Sequence, residues 1–321
     1  MTRDDSILVG IDGSDESLHA LDWAAAHARH EAVHLHLVSS YLPPGFVGGL
    51  HHPYDLPFVD DAYVRRRVEQ FLTTAQRRAS EAGVSSTTEI ATGEPTGVLV
   101  ARSSAHALVV VGARGAGGLT ERLLGTVSSN LPAHSRCPTV VVPSRTGDRA
   151  DGREPHRTPP ESRRIVVGFD GSTGSRSAID QAIAQARAWR SELVVVRAVP
   201  MASWSHSPWL HPGFRDGLLA AARADLTEVV DQLRAAHADV VVSGRAVEGT
   251  ASAVLIDQSR SADLLVVGAR GCGGIRGLLL GSTSQAVLHR AGCPVLVTGQ
   301  RHAASGDLLS AAPVGAGDPR G

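Results

Sequence analysis

Residues 110–130 read VVGARGAGGLTERLLGTVSSN, an apolar run that leads into a glycine-rich loop and then into a helix-forming segment. A short apolar run bounded by glycine is typical of a strand that is buried on both faces of a parallel sheet. A glycine-rich loop before a helix is also typical of anion-binding elements, because its backbone N–H groups can point at a phosphate. The chain contains no lysine, so a lysine-dependent phosphate loop is excluded.

This stretch occurs twice. Residues 266–285 read VVGARGCGGIRGLLLGSTSQ, and two other blocks recur in the same order. ILVGIDGS at 7–14 returns as IVVGFDGS at 165–172, and RCPTVVVP at 136–143 returns as GCPVLVTG at 292–299. Three matched blocks in one order indicate an internal duplication. The 321 residues are therefore predicted to form two similar domains of ordinary size.

The repeat sets the predicted domain boundaries. Domain 1 is expected at residues 1–144 and domain 2 at residues 163–299. Residues 145–162 are rich in Arg, Pro, Gly and acids and have no apolar period, so they are predicted to be an exposed linker. Residues 300–321 are predicted to be a flexible tail.

Each copy alternates strands with helices, which predicts parallel strands joined by right-handed crossovers. The fold class is therefore α/β, with two tandem Rossmann-like or flavodoxin-like domains, each a five-stranded parallel sheet flanked by helices. Ligands of such sheets bind at the carboxyl ends of the strands, where the strand order reverses. In the first copy, strands are predicted at 7–11, 33–40, 87–91, 108–111 and 139–142, and helices at 14–30, 59–82, from Pro95 onwards, and at 126–134. Ser14 is a candidate N-cap of the first helix.

Composition excludes several classes of function. With 31 basic and 32 acidic residues the net charge is −1, which gives no electrostatic basis for binding nucleic acid. No apolar run reaches the roughly 18 residues that a membrane span needs, and the first residues lack the apolar core of a signal peptide. We therefore expect a cytoplasmic protein with no membrane partner. Three cysteines fit neither a disulfide framework nor a zinc site.

The spacing Gly-x2-Gly-x9-Gly-[Ser/Thr] marks a candidate phosphate site in each copy. A glycine cluster after a strand often only makes a turn, but two copies with one spacing favour a function. The arginine within each loop could grip phosphate with its fork of donors. The candidates are Gly112, Arg114, Gly115, Gly117, Gly118, Gly125 and Thr126 in the first copy, and Gly268, Arg270, Gly271, Gly273, Gly274, Gly281 and Ser282 in the second.

Asp12 and Asp170 follow the first strand of each copy in the sequence Asp-Gly-Ser. Asp in this position can cap the following helix. It could instead accept hydrogen bonds from a ribose or an adenine amino group, or help to hold Mg²⁺ beside phosphates. Cys272 lies inside the second loop and is either an incidental loop residue or a redox-sensitive thiol.

Through these motifs the chain resembles the tandem universal stress proteins of the ATP-binding subclass, of the two-domain kind found in actinobacteria. The resemblance extends from about residue 6 to residue 298. It implies one adenine nucleotide in each copy, bound as ATP, and the strand order 3-2-1-4-5 in each sheet. Thr126 stands where Ser is commoner in this family.

The resemblance also implies a role for particular residues. The nucleoside would lie near Gly10, Asp12 and Ser40 in the first copy, and near Gly168, Asp170 and Ala198 in the second. The phosphates would lie on the loops and on the helices that follow them. This set adds Ala113, Ala116 and Val127 in the first copy, and Ala269, Cys272, Thr283 and Ser284 in the second.

Three functions are compatible with these features. A regulatory protein could use ATP to stabilise one conformation or assembly. A slow ATP hydrolase or nucleotidyl transferase would need a base or acceptor, and no dedicated base is visible near the loop. A scaffold could pair through its apolar last strands at 139–142 and 294–297, either between the copies or between chains. We favour the ATP-binding regulator and predict a homodimer through the last-strand edges; no protein partner is identified.

Overall fold

The computed structural model describes six segments, residues 4–43, 60–115, 124–144, 163–200, 212–272 and 280–299. The predicted linker and tail lie outside these residues. The strands of the first half are β1 (Asp4–Gly10), β2 (Leu35–Tyr41), β3 (Ser86–Thr92), β4 (His106–Gly112) and β5 (Thr139–Val142). Its helices are α1 (Asp15–Glu31), α2 (Asp61–Glu81), α3 (Pro95–Arg102) and α4 (Thr126–His134).

The second half repeats this order of elements. Its strands are β6 (Arg164–Gly168), β7 (Glu192–Val199), β8 (Val242–Glu248), β9 (Leu264–Gly268) and β10 (Val295–Thr298). Its helices are α5 (Thr173–Trp189), α6 (Pro212–Ala236), α7 (Ala251–Gln258) and α8 (Ser282–Arg290). The predicted alternation of strands and helices is confirmed, and α4 and β5 have the predicted bounds.

The ten strands of the described segments lie in one sheet, in the order β3-β2-β1-β4-β5-β10-β9-β6-β7-β8. Within each half the neighbouring strands are parallel and follow the predicted order 3-2-1-4-5. At the centre β5 and β10 pair antiparallel, with Leu296 opposite Val140. The two expected five-stranded sheets are thus joined edge to edge into one mixed sheet.

The central pairing corrects the predicted homodimer through the last-strand edges. Strand β5 lies between β4 and β10, and β10 lies between β5 and β9, so each already has a neighbour on both sides. A strand can pair with a second chain only through an open edge. Of the two alternatives, the described structure shows pairing between the copies. A dimer of two chains would have to use another surface.

Two apolar layers cover the sheet. One face packs against α1, α2, α5 and α6, and the other packs against α3, α4, α7 and α8. Both layers consist mainly of Val, Leu, Ile and Ala, as expected for strands buried on both faces. Among the described residues, no helix is both long and apolar enough to cross a membrane.

Helices α1 and α5 contact each other across the joint between the halves. Trp189 of α5 donates a hydrogen bond from Nε1 to Nδ1 of His27 on α1, at 2.9 Å, and both side chains are buried. The His27 ring stacks on Trp23, with centroids 5.3 Å apart. Burial, and then the positive charge of nearby His30, lower the pKa of His27 to about 4. His27 is therefore neutral at pH 7 and part of the contact between the halves.

Candidate functional site

The glycine loops begin at the carboxyl edge of the sheet, beside the ends of the first strands. In the first half β1 and β4 are neighbours, with Val9 opposite Val110, and they end at Gly10 and Gly112. From this point the strand order runs to β2 on one side and to β5 on the other. This reversal is the position at which open α/β sheets bind ligands. The second half has the same geometry at Gly168 and Gly268, where β6 and β9 end.

Gly112 and Gly268 are required by packing. A Cβ at Gly112 would lie 2.8 Å from the carbonyl oxygen of Glu16, in the first turn of α1. A Cβ at Gly268 would lie 2.7 Å from the carbonyl oxygen of Gly174 in α5. Glycine therefore lets the first turn of the helix approach the end of the neighbouring strand.

Gly115 and Gly271 bring the loop against the aspartate of the first strand. A Cβ built on either glycine would lie 2.3 Å from Oδ2 of Asp12 or Asp170. Real Cβ atoms essentially never lie so close to another heavy atom. Any side chain at Gly115 or Gly271 must therefore displace either the carboxylate or the loop.

The helix cap is the serine, not the aspartate. Ser14 Oγ accepts a hydrogen bond from the Ser17 amide at 3.1 Å and is the N-cap of α1. Asp12 Oδ1 accepts from the Ser14 amide at 3.0 Å and from its hydroxyl at 2.5 Å. Asp12 thus orients the capping serine, which corrects the expectation that the aspartate itself caps the helix. Asp170 and Ser172 repeat this geometry before α5.

Asp170 also holds the second glycine loop. The backbone amide of Cys272 donates to Asp170 Oδ2 at 2.9 Å, and the Cys272 thiol contacts the Asp170 carbonyl oxygen at 3.2 Å. Burial raises the pKa of Asp170, but the hydrogen bonds from Ser172 and from the Cys272 amide outweigh it and hold the pKa below its usual value. Burial and the negative charge of Asp170 raise the pKa of Cys272. The thiol is thus protonated at neutral pH, which does not favour the redox-sensor interpretation.

The helices that follow the loops begin without a side-chain cap. Helices α1, α2, α3, α5 and α7 each have a Ser, Asp, Glu or Thr side chain that accepts from a first-turn amide. Helices α4 and α8 have glycine as the N-cap residue, Gly125 and Gly281, and neither has a side-chain cap. Their first-turn amides carry the positive end of the helix dipole and have no partner within the helix. Among the seven α-helices whose N-cap the structure describes, only α4 and α8 start in this way.

The glycines at these helix starts are not required by the fold. Gly125 and Gly281 have φ angles of −68° and −74°, which any residue adopts. A Cβ at either would come no closer than 3.4 Å to another atom, an ordinary contact. Their amides donate to the carbonyl oxygens of Ala113 and Ala269. Because glycine has no side chain, the first-turn amides of α4 and α8 are left uncovered.

A cavity of about 260 Å³ lies at this edge in the second half. It is bounded on one side by apolar residues that the sequence did not indicate, including Phe169, Val196 and Leu255. Phe169 adjoins Asp170 and could have been found from that position, whereas nothing local marks Leu255 on α7. The predicted residues that line the cavity are Gly168, Asp170, Ala198, Gly268, Arg270, Gly271, Cys272, Gly281, Ser282, Thr283 and Ser284.

Other predicted residues have structural roles. Ala113 and Ala269 are buried in the apolar layer under α4 and α8, so their side chains are part of the core. Ser284 is buried, and its hydroxyl donates to the Gly268 carbonyl oxygen at 2.7 Å, which ties α8 to the start of the loop. Thr126 and Ser282 are exposed at the helix starts. Ala116, Gly117, Gly118, Gly273 and Gly274 lie outside the described residues.

The two loop arginines differ in their contacts. Arg114 Nε donates to Ser144 Oγ at 2.9 Å, and Ser144 in turn donates to Glu16. Arg270 Nε is buried and has no hydrogen-bond partner among the residues that the structure describes. Since a buried guanidinium nitrogen without a partner is unfavourable, Arg270 suits an anionic ligand in the cavity that it lines.

The two halves also differ at the end of the first strand. In the first half a Cβ built on Gly13 would lie 2.5 Å from the nearest ring atoms of Phe71 on α2. In the second half none of the described residues has an atom within 4 Å of the matching position on Gly171. Ser40 and Val127 are half-buried, Ser40 at the carboxyl end of β2 and Val127 in the first turn of α4. Phe71 of α2 thus closes off the turn after β1 in the first half.

Fold and site together define a duplicated, doubly wound α/β protein with a glycine loop and an uncapped helix start at the carboxyl edge of each half. The chain belongs to the universal stress protein family, whose model matches residues 5–143 and 161–299. It is 33% identical over 307 residues to the universal stress protein Rv2005c of Mycobacterium tuberculosis, covering 92% of this chain and 97% of that protein.

One solved structure supports this assignment of the fold. A universal stress protein from Archaeoglobus fulgidus superposes with a TM-score of 0.67 at 20% identity, covering 93% of this chain and 100% of that chain. Another universal stress protein, solved in complex with cAMP, is 27% identical and covers 44% of this chain and 98% of its own, with a TM-score of 0.34.

Proposed function

We propose that this chain is an ATP-binding regulatory protein of the cytoplasm with one adenine nucleotide site in each half. ATP would act by stabilising one conformation or one assembly of the protein, since a ligand favours the state that it binds better. The observation that carries the proposal is the pair of uncapped helix starts at α4 and α8, each placed beside a glycine loop at the switch point of its sheet.

The electrostatics of each helix start suit a phosphate group. Free first-turn amides and the helix dipole attract an anion without a lysine. In the second half, Ser282 and Thr283 supply hydroxyl groups at this point, and Arg270 adds a positive charge on the wall of the cavity. The phosphates would therefore lie between the loop and α8. Mg²⁺ would reach the site with the ATP phosphates, which supply the oxygen ligands that this ion prefers.

The apolar part of the cavity suits a nucleoside. Phe169, Val196 and Leu255 bound it, and Gly168 and Ala198 leave room at the ends of β6 and β7. A flat base buried against such side chains gains hydrophobic free energy on binding. The proposal therefore places the adenosine at the ends of the first and second strands and the phosphates at the fourth.

Nucleotide extraction tests the proposal. We expect ATP to be released when the purified protein is denatured and its supernatant is separated by HPLC. The double variant Gly115→Glu with Gly271→Glu should lose it, because each new side chain starts 2.3 Å from an aspartate oxygen and adds a negative charge.

A matched control separates this effect from general damage. Gly213→Glu with Gly217→Glu introduces the same two charges on α6, where a Cβ meets nothing within 4 Å. This control should keep its ATP and its circular dichroism spectrum. A wild type that binds no adenine nucleotide, or a loop variant that retains it, would contradict the proposal. Phosphate release with and without Mg²⁺ separates a regulator from an enzyme, since turnover of about 1 per second or faster would favour catalysis.

A further inference from the structure

We propose that Asp12 and Asp170 are positioning residues that hold the phosphate loop of each half in its binding shape, and that neither contacts the nucleotide. The identity of the ligand in this inference rests on the proposed function. The contact between the aspartate and the loop does not. It replaces the expectation that these carboxylates accept hydrogen bonds from the ribose or the adenine.

The hydrogen bonds of Asp170 carry the inference. Oδ1 accepts from the amide and the hydroxyl of Ser172, at 3.0 and 2.5 Å, and Oδ2 accepts from the amide of Cys272 at 2.9 Å. The carboxylate therefore joins the cap of α5 to the glycine loop that follows β9. Most of its acceptor capacity is used by the protein itself.

The glycine spacing fits the same contact. A Cβ built on Gly271 would lie 2.3 Å from Asp170 Oδ2. A Cβ built on Gly115 would lie at the same distance from Asp12 Oδ2. The second glycine of the motif is thus required because any side chain there would collide with the aspartate carboxylate. Both halves therefore share the close approach of the aspartate to the second glycine of the loop, and the second half adds the hydrogen bond from the Cys272 amide.

Ionisation keeps the contact intact. The pKa of Asp170 lies below its usual value, since its hydrogen bonds outweigh the effect of burial. The carboxylate is therefore charged throughout the physiological range, and hydrogen bonds to a charged acceptor are stronger than neutral ones. Asn at this position has a single acceptor oxygen, so it cannot serve both Ser172 and Cys272.

Two ligands distinguish a positioning role from a nucleoside contact. Calorimetric titration of the nucleotide-free protein with ATP and with adenosine compares a ligand that reaches the loop with one that does not. For Asp12→Asn with Asp170→Asn we expect at least about a tenfold weaker Kd for ATP and a Kd for adenosine within about twofold of the wild type. Equal weakening of both ligands, or an unchanged Kd for ATP, would overturn the inference.

A charge control accompanies this variant. Asp5→Asn with Asp231→Asn removes two exposed carboxylates, one at the start of β1 and one in the last turns of α6, and should leave both affinities unchanged. If the aspartate variant does not fold, Gly115→Ala with Gly271→Ala perturbs the same contact while keeping both carboxylates. It should show the same selective loss of ATP, and an equal loss of adenosine would refute the positioning role.

Amide exchange tests the geometry without any nucleotide. In the ligand-free protein, the Cys272 amide should exchange at least about tenfold faster in Asp170→Ala than in the wild type, as followed by NMR, because this change removes both carboxylate oxygens and with them the acceptor. An unchanged rate would overturn the inference even if ATP binds. If the wild type binds neither ligand, the proposed function fails, and this measurement alone decides whether the aspartate holds the loop.

Discussion

Lowering the pH should weaken the joint between the two halves through His27. Its pKa is about 4 in the folded protein, against 6.5 for an ordinary histidine, because of burial and then of the charge on His30. The unfolded chain therefore binds this proton more readily than the folded chain. The contribution to stability is complete above about pH 6.5 and decreases as the pH falls towards 4. With about 1.4 kcal/mol per pKa unit, the loss approaches about 3 kcal/mol below pH 4.

Urea unfolding at pH 7.5 and pH 4.5, followed by circular dichroism, measures this effect. Other groups also titrate in this range, so the comparison uses His27→Gln, which cannot gain a proton but can accept from Trp189 Nε1. Gln185 holds the matching position in α5, which has the same length as α1. The free energy of unfolding should fall by about 2.5 kcal/mol more in the wild type than in the variant. Equal losses in both proteins would refute the role assigned to His27.

Two further predictions concern the loops. Cys272 is exposed, whereas Cys137 and Cys293 are buried. A thiol reagent at pH 9 should therefore modify about one cysteine per native chain, and bound ATP should slow that modification. If ATP still protected the cysteine in the Gly271→Glu variant, the proposed position of the site would be contradicted. In a urea titration, Gly112→Ala should lower the free energy of unfolding by about 1–3 kcal/mol because its Cβ meets the Glu16 backbone. Gly125→Ala should lower it by less than about 1 kcal/mol and yet weaken ATP binding. A larger loss of stability in Gly125→Ala than in Gly112→Ala would contradict the packing described above.

The elements of this fold could be predicted because each carries its own local signal. The start of α1 follows from Ser14, which caps it, and the start of α3 from Pro95 at its first turn. Strands β5 and β10 are short apolar runs, buried throughout in the structure. The position of the loops at the carboxyl edge then follows from the strand order alone.

The joining of the two sheets could not be predicted in the same way. The apolar edges of β5 and β10 indicate that they pair, but the same edges can meet within one chain or between two. Which occurs depends on how α1 packs on α5, and no short motif records this. The contact between Trp189 and His27 joins residues far apart in the sequence.

The site was predicted in outline and refined in its details. The glycines marked the loops, but their spacing could not separate Gly112, needed for packing, from Gly125, which the fold does not require. The Asp-Gly-Ser motif did not decide whether the aspartate caps the following helix or binds the ligand. Only the geometry shows that Asp170 holds the capping serine and accepts from the Cys272 amide. Such roles depend on distances across the fold, so the sequence pattern alone cannot assign them.

The number of ATP molecules bound per chain tests the central claim most directly. Native mass spectrometry of the nucleotide-free protein, titrated with ATP, should show two bound molecules at saturation. Gly115→Glu and Gly271→Glu should each reduce this number to one, because each alters a single loop. No bound ATP, or binding that neither variant reduces, would contradict the account of one nucleotide site at each glycine loop.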